Sequence, residues 1–329
     1  LVNRRLTSAM IRADGYITLI DAGEGTQLGI KESTWPAKSI GSILITHLHT
    51  DHVLGLAGVL LLINNSFMTE PLTIAGPKGL RMFLESLDVI IPELKFPIYF
   101  MEFEDDEEEF FSGDLEVTAF KLEHSVLCYG FSFYYRRTGA FDVKRAEKIP
   151  SDYWNELSCG RAIKDENIGI VHPNEIAGPE QLGIKVTYVT DTRPIEEIVK
   201  YAAYSKLFIC ESMYAGNDEK DDENKLKNYH MTYAEAAILA KEAKVDRLLL
   251  THFSPSIPYP KNFLNNARDI FKNTNVARDG MCITLDFQSQ LLRDKIDDLA
   301  VSVENPFANY ISFGDRNKKS IIEYIKKHN

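Results

Sequence analysis

At 329 residues, with 44% hydrophobic and 26% charged side chains, the chain has an ordinary globular composition and enough length to bury a sizeable core. A net charge of −11 excludes a protein that coats nucleic acid with its whole surface, while leaving room for a local basic groove or a metal site that attracts phosphate. The four cysteines, Cys128, Cys159, Cys210 and Cys282, show no CxxC spacing. That excludes a zinc-finger or redox-motif reading and points to buried free thiols in a reducing cytoplasm.

In chain order, short β-rich runs recur: 16–20, 40–46, 71–75, 115–122, 184–190, 206–210, 246–251 and 281–287. Helical runs fall between several of them. The apolar run at 53–63, "VLGLAGVLLLI", is too short to cross a bilayer and reads as a buried helix, so no membrane partner is expected. A second helix covers 79–90, and a third 232–244, where Thr232 and Glu235 form a T-x-x-E capping box that fixes its start. Strands mixed with helices in this order predict a layered α/β domain over 1–287. Residues 102–109, "EFEDDEEE", read as a solvated loop or strand edge. Residues 138–182, rich in Gly, Pro and polar side chains, read as an inserted arm. The tail 288–329 carries mixed charge and a helical end, "SIIEYIKKHN", with no job assigned.

The chemistry concentrates in "THLHTDH", residues 46–52. His47 and His49 stand two apart just past a strand, and Asp51 and His52 follow in a tight turn. Packing so many polar groups together is costly without a partner, and imidazole with carboxylate suits zinc, with manganese or iron as alternatives. Further ligands wait where other strands end: His124 after 115–122, Asp191 after 184–190 and His252 after 246–251. The arrangement calls for two ions, one held by His47, His49 and His124, the other by Asp51, His52 and His252, with Asp191 bridging.

These motifs, "THLHTDH", "HS" at 124–125, "TDT" at 190–192 and "THFS" at 251–254, resemble the metal-binding motifs of the metallo-β-lactamase superfamily. Together with "DAGEGTQLGI" at 21–30, "IAGPKGL" at 74–80, "DTRP" at 191–194 and above all "HMTYAEAAILAKEAKVDRLLLTHFS" at 230–254, they resemble the ribonuclease Z family of tRNA 3′-processing endonucleases over about residues 3–285. The resemblance implies an αββα sandwich of two mixed β-sheets flanked by helices. It also implies a zinc-dependent endoribonuclease that removes the 3′ trailer of precursor tRNA with a hydroxide activated by two metals about 3.5–4 Å apart. In that family the aspartate matching Asp51 is both ligand and base.

Glu211, in "CESMY", and His230 resemble a family pair in which a carboxylate, hydrogen-bonded to imidazole, orients a general acid and raises its pKa. Asp21 resembles an aspartate that braces the metal loops through backbone hydrogen bonds. The arm resembles a tRNA-clamping exosite in its frame but not at its tip, where "IPSDYW" replaces a Gly-Pro signature. Its basic residues Arg136, Arg137, Lys144, Arg145, Lys148, Arg161 and Lys164 are candidates for tracking a phosphate backbone. The family's pairing into homodimers implies a second copy as partner, with the apolar helix at 54–63 as a candidate face. Two departures stand out: the chain opens at "LVNRRLTS" without the family's Gly-rich strand, and Thr190 stands where glycine is usual. The competing readings are a hydrolase of a small phosphodiester, ester or lactone, and a scaffold that kept the fold without catalysis.

Overall fold

The computed structural model describes residues 4–137, 139, 141–158, 162–178, 181–216, 219–287 and, for the backbone, 309–313. The strands in chain order are β1 (Ala9–Ala13), β2 (Tyr16–Ile20), β3 (Ile40–Leu44), β4 (Leu72–Pro77), β5 (Ile98–Phe103), β6 (Glu107–Ser112), β7 (Leu115–Leu122) and β8 (Cys128–Arg137). They continue with β9 (Ile163–Asp165), β10 (Gly169–Val171), β11 (Gln181–Val189), β12 (Leu207–Glu211), β13 (Leu248–Thr251), β14 (Thr274–Val276), β15 (Cys282–Leu285) and β16 (Asn309–Phe313).

Two seven-stranded sheets result. The first runs β15-β16-β1-β2-β3-β4-β5 and the second β14-β13-β12-β11-β8-β7-β6, each mixing parallel and antiparallel pairs. One apolar cluster lies between the sheets, with Phe103, Tyr129, Phe131, Phe133 and Ile209 among its members. Two more join the outer faces to helices. Leu56, Val59, Leu60 and Ile63 of helix Leu56–Asn65 pack on the first sheet, and Tyr233, Ala236, Ala237 and Ala240 of helix Tyr233–Glu242 pack on the second. This is the expected sandwich. Among the described residues no helix is long and apolar enough to cross a membrane.

Sequence explains most of the local choices. β3 is apolar almost throughout because it has parallel neighbours on both sides and is covered on both faces. Thr232 caps its helix as the T-x-x-E pattern predicts: its side chain accepts from the Glu235 N–H while Glu235 accepts from the Thr232 N–H. The acidic run at 102–109 ends β5 and opens β6, the edge strand of the second sheet, where alternate side chains face solvent. β8 pairs antiparallel with both β7 and β11 at the centre of that sheet. β16 lies parallel between β15 and β1, so the C-terminal segment adds a strand to the first sheet. The helical run expected at the C-terminal end, and Cys159 and Arg161, lie outside the described residues.

Residues 141–178 form a small unit of their own. Ala146, Leu157, Ile163, Val171 and Ile176 pack together against Phe141 and Trp154, and β9 and β10 make a short hairpin. The unit leaves and re-enters the second sheet between β8 and β11, where Arg137 pairs with Gln181.

Candidate metal centre

Parallel strands deliver their C-terminal ends to one rim, where the connecting loops gather. β2 leads into Asp21, β3 into 46–52, β7 into His124, β11 into Asp191, and β13 into His252. The first sheet thus supplies the HxHxDH segment and the second supplies the other three expected ligands.

The convergence is tight. His47 Nε2 lies 3.0 Å from His49 Nδ1, and His124 Nε2 lies 3.2 Å from the same atom. Oδ2 of Asp191 sits 3.6 Å from His47 Nε2 and 3.9 Å from His124 Nε2. On the other side, Oδ1 of Asp191 lies 3.5 Å from His52 Nε2 and 3.2 Å from His252 Nε2, while Oδ2 of Asp51 is 3.7 Å from the first and 3.6 Å from the second. The seven residues therefore form two groups able to hold an ion, and Asp191 turns one oxygen to each. A third grouping joins Asp191 and His252 to His230, whose Nε2 is 4.0 Å from Asp191 Oδ2.

Do these donors fit cations? His52 gives Nδ1 to Asp21 Oδ2 at 2.9 Å, so its buried Nε2 carries the lone pair and has no hydrogen-bond partner. That lone pair faces two carboxylate oxygens, an arrangement that calls for a positive charge between them. Protons supply it when no ion does: although burial opposes it, the Asp191 and Asp51 carboxylates raise His252 to about 9, and Asp21 and Asp191 raise His52. Burial and then the neighbouring His52 drive His47 down to about 2, keeping it neutral as a ligand must be. Burial likewise lowers His124. The His252 imidazole, 3.6 Å away, holds Asp51 ionised, and Asp191 stays ionised because its histidine neighbours outweigh its own burial. The set suits a divalent cation.

Supporting groups fix these side chains. Asp21, fully buried at φ 56°, accepts from the Thr46 N–H at 2.8 Å as well as from His52. The backbone bond expected of Asp21 is therefore joined by a direct side-chain bond to a ligand. Thr46 gives its hydroxyl proton to Asp21, and its Oγ1 accepts from His47 Nδ1 at 3.1 Å. Gly23 and Gly55 permit close approach: a Cβ on Gly23 would strike the Asp51 carbonyl, and one on Gly55 would strike the Gly23 carbonyl. His252 also adopts positive φ, 55°, which a bulky residue holds only where its surroundings enforce it.

Glu211 and His230 meet beside the centre. His230 Nδ1 lies 2.9 Å from Glu211 Oε1, which also accepts from the Thr192 N–H at 2.9 Å; Oε2 accepts from the Met213 N–H at 3.1 Å. Arg193 gives one guanidinium N–H to the His230 carbonyl and pairs with Glu235 at 2.7 Å. Thr46, Thr192 and Arg193 were not singled out from sequence as individual groups. Their signal was adjacency, since each sits next to a ligand or the next residue on.

Three of the basic candidates have partners of their own. Arg136 pairs with Glu116, Arg137 lies 4.7 Å over the Phe287 ring, and Arg145 faces Asp142 at 3.6 Å and the Ala177 carbonyl at 2.8 Å. Lys144 and Lys148 are exposed. Residues 138–182 carry five Lys/Arg against eight Asp/Glu, so the arm is not a basic surface overall. Cys128 and Cys210 are buried free thiols, and Cys282 is half-buried.

Residues 5–137 match the profile of the metallo-beta-lactamase superfamily. The chain is 42% identical over 289 residues to ribonuclease Z of Lachnoclostridium phytofermentans and 45% identical over 290 residues to ribonuclease Z of Agathobacter rectalis, in both cases covering 87% of this chain and 94% of the relative. Among solved structures, the metallo-beta-lactamase fold protein YhfI from Bacillus subtilis superposes with a TM-score of 0.60 at 18% identity, covering 85% of this chain and 91% of that one. By these relatives and by its donor set, the chain belongs to the ribonuclease Z family of the metallo-beta-lactamase superfamily.

Proposed function

We propose that the chain is a zinc-dependent endoribonuclease that cuts the 3′ trailer from precursor tRNA, using two ions per subunit. The observation that carries this reading is the split of Asp191, with one oxygen toward the His47, His49 and His124 group and the other toward the Asp51, His52 and His252 group. Bound there, two divalent cations supply Lewis acidity toward a phosphodiester and lower the pKa of a nearby water toward neutrality.

The chain's own residues supply the rest. Asp51, more exposed than Asp191 and held ionised, is the proton acceptor on the solvent side of the second group. His230 hands a proton from Nε2 to the departing 3′ oxygen, while Glu211 fixes its ring through Nδ1 and Arg193 fixes its backbone. Asp21 orients His52.

Two copies pair in this proposal. Its support is the apolar surface left at Leu28, Leu54 and Phe67, on and beside helices Thr26–Glu32 and Leu56–Asn65, whose own apolar face is mostly spent on the core. A reducing compartment, the cytoplasm, suits the buried thiols. A second reading, hydrolysis of a small phosphodiester, is favoured by the acidic balance of the arm. The deciding experiment compares precursor tRNA with bis(p-nitrophenyl) phosphate on metal-analysed protein. Trailer removal leaving a 3′-hydroxyl, with two zinc per chain, is the expected result; turnover of the small ester alone sinks the tRNA reading.

A further inference from the structure

We propose that Thr190 is a positioning residue that holds one oxygen of Asp191 on the second ligand group and thereby decides how tightly the second cation binds. The inference rests on the two-ion reading of this site.

Thr190 directly follows β11 and is fully buried. Its hydroxyl donates to Asp191 Oδ1 at 2.7 Å. That is the oxygen facing His252 and His52, whereas Oδ2 faces His47 and His124. A carboxylate swings freely about its last torsion, with two broad, equivalent orientations. Among the described hydrogen bonds, the Thr190 hydroxyl is the one that selects which oxygen goes where.

A glycine at 190 would have no donor.

The two groups do not depend on Oδ1 equally. The first has three imidazoles of its own; the second has two imidazoles and Asp51, whose side chain is 38% exposed. Loss of the Thr190 hydroxyl therefore falls on the second ion.

The test is a zinc titration of the metal-stripped full chain against a chromophoric chelator, with metal analysis at limiting zinc. Thr190→Val keeps the shape and removes the donor. It is expected to hold the first ion within about threefold of the native value and to weaken the second roughly 10–100-fold. Thr190→Ser restores the donor and both affinities. If the Val chain does not fold, Thr190→Ala serves for the same measurement. Unchanged binding in Val, equal weakening of both ions, or Ser behaving as Val overturns the role of Thr190. A native chain that takes up a single ion overturns the two-ion reading and this inference with it.

Discussion

Nδ1 of His230 sits 2.9 Å from Oε1 of Glu211, and that bond leaves Nε2 as the ring atom presented to Asp191. Among the described hydrogen bonds, the imidazole of His230 is the side chain that Glu211 holds, so Glu211 acts on the proton donor by fixing that ring. His230→Ala is expected to lower phosphodiester turnover about 10²–10⁴-fold with zinc content unchanged. Glu211→Gln keeps an acceptor for Nδ1 but removes the charge, and is expected to lose less. Single-turnover cleavage beside metal analysis checks both; parallel loss of metal and turnover in His230→Ala would make it a ligand instead.

Asp191 is the point where the two ligand groups join. Asp191→Ala should deplete both ions together, whereas Asp51→Ala should deplete one. Metal counts on dialysed protein decide the matter, and full occupancy in Asp191→Ala would falsify the bridging role.

Asp21 binds a ligand ring and a ligand loop at once. Removing one partner of a fully buried ion pair costs about 3–5 kcal/mol, so Asp21→Ala should melt well below the native chain. Asp21→Asn tolerates the positive φ and keeps one acceptor for Thr46. Its expected signature is milder: a nearly native melt with zinc affinity down roughly tenfold. An Asn chain with native zinc affinity would remove Asp21 from the metal centre's support.

The arm returns to the sheet at the Arg137–Gln181 pair, so the strands on either side can be joined by a short turn when 139–179 is replaced. The shortened chain is expected to keep its rate on bis(p-nitrophenyl) phosphate and lose trailer cleavage. Equal rates on precursor tRNA before and after would show that the arm does not hold this substrate.

Asp279 offers a pH test away from the histidines. Burial lifts its carboxyl to about 6, against the opposing Arg5 N–H hydrogen bond and the nearby Arg5 and Arg4 charges. A carboxyl raised by folding contributes most stability when protonated, below the ordinary carboxylate range, and loses that contribution as pH rises through about 6. Asp279→Asn, which never ionises, should therefore gain in melting temperature relative to native at pH 7.5 compared with pH 5. An unchanged difference between the two conditions would contradict the shift.

Much of this was readable before any coordinates. The β-rich runs at 16–20 and 115–122 coincide with β2 and β7, because alternation and branched side chains suffice to mark strands of this kind. The capping box at Thr232 held because its chemistry is local. β8 is not among the β-rich runs that the sequence marks, although "CYGFSFYYRR" is dense in aromatics. Its role at the centre of a sheet comes from partners far away in sequence, and its position comes from pairing rather than pattern. The ligands were legible by type and by their place after strands. How Asp191 divides its oxygens, or which atom of His52 is orphaned, depends on torsions that no sequence prints. The basic residues in and beside the arm are legible as charges, but that Arg136 faces Glu116 and Arg145 faces Asp142 comes from the folded arrangement.

The HxHxDH segment hangs from one sheet, and His124, Asp191 and His252 hang from the other, across a seam that is mostly apolar. Whatever ion enters must stitch the two halves of the molecule together as it becomes catalytic. Scarcity of a divalent cation would then be felt first as a loosened rim, with protease sensitivity at these loops, before any loss of the sandwich itself.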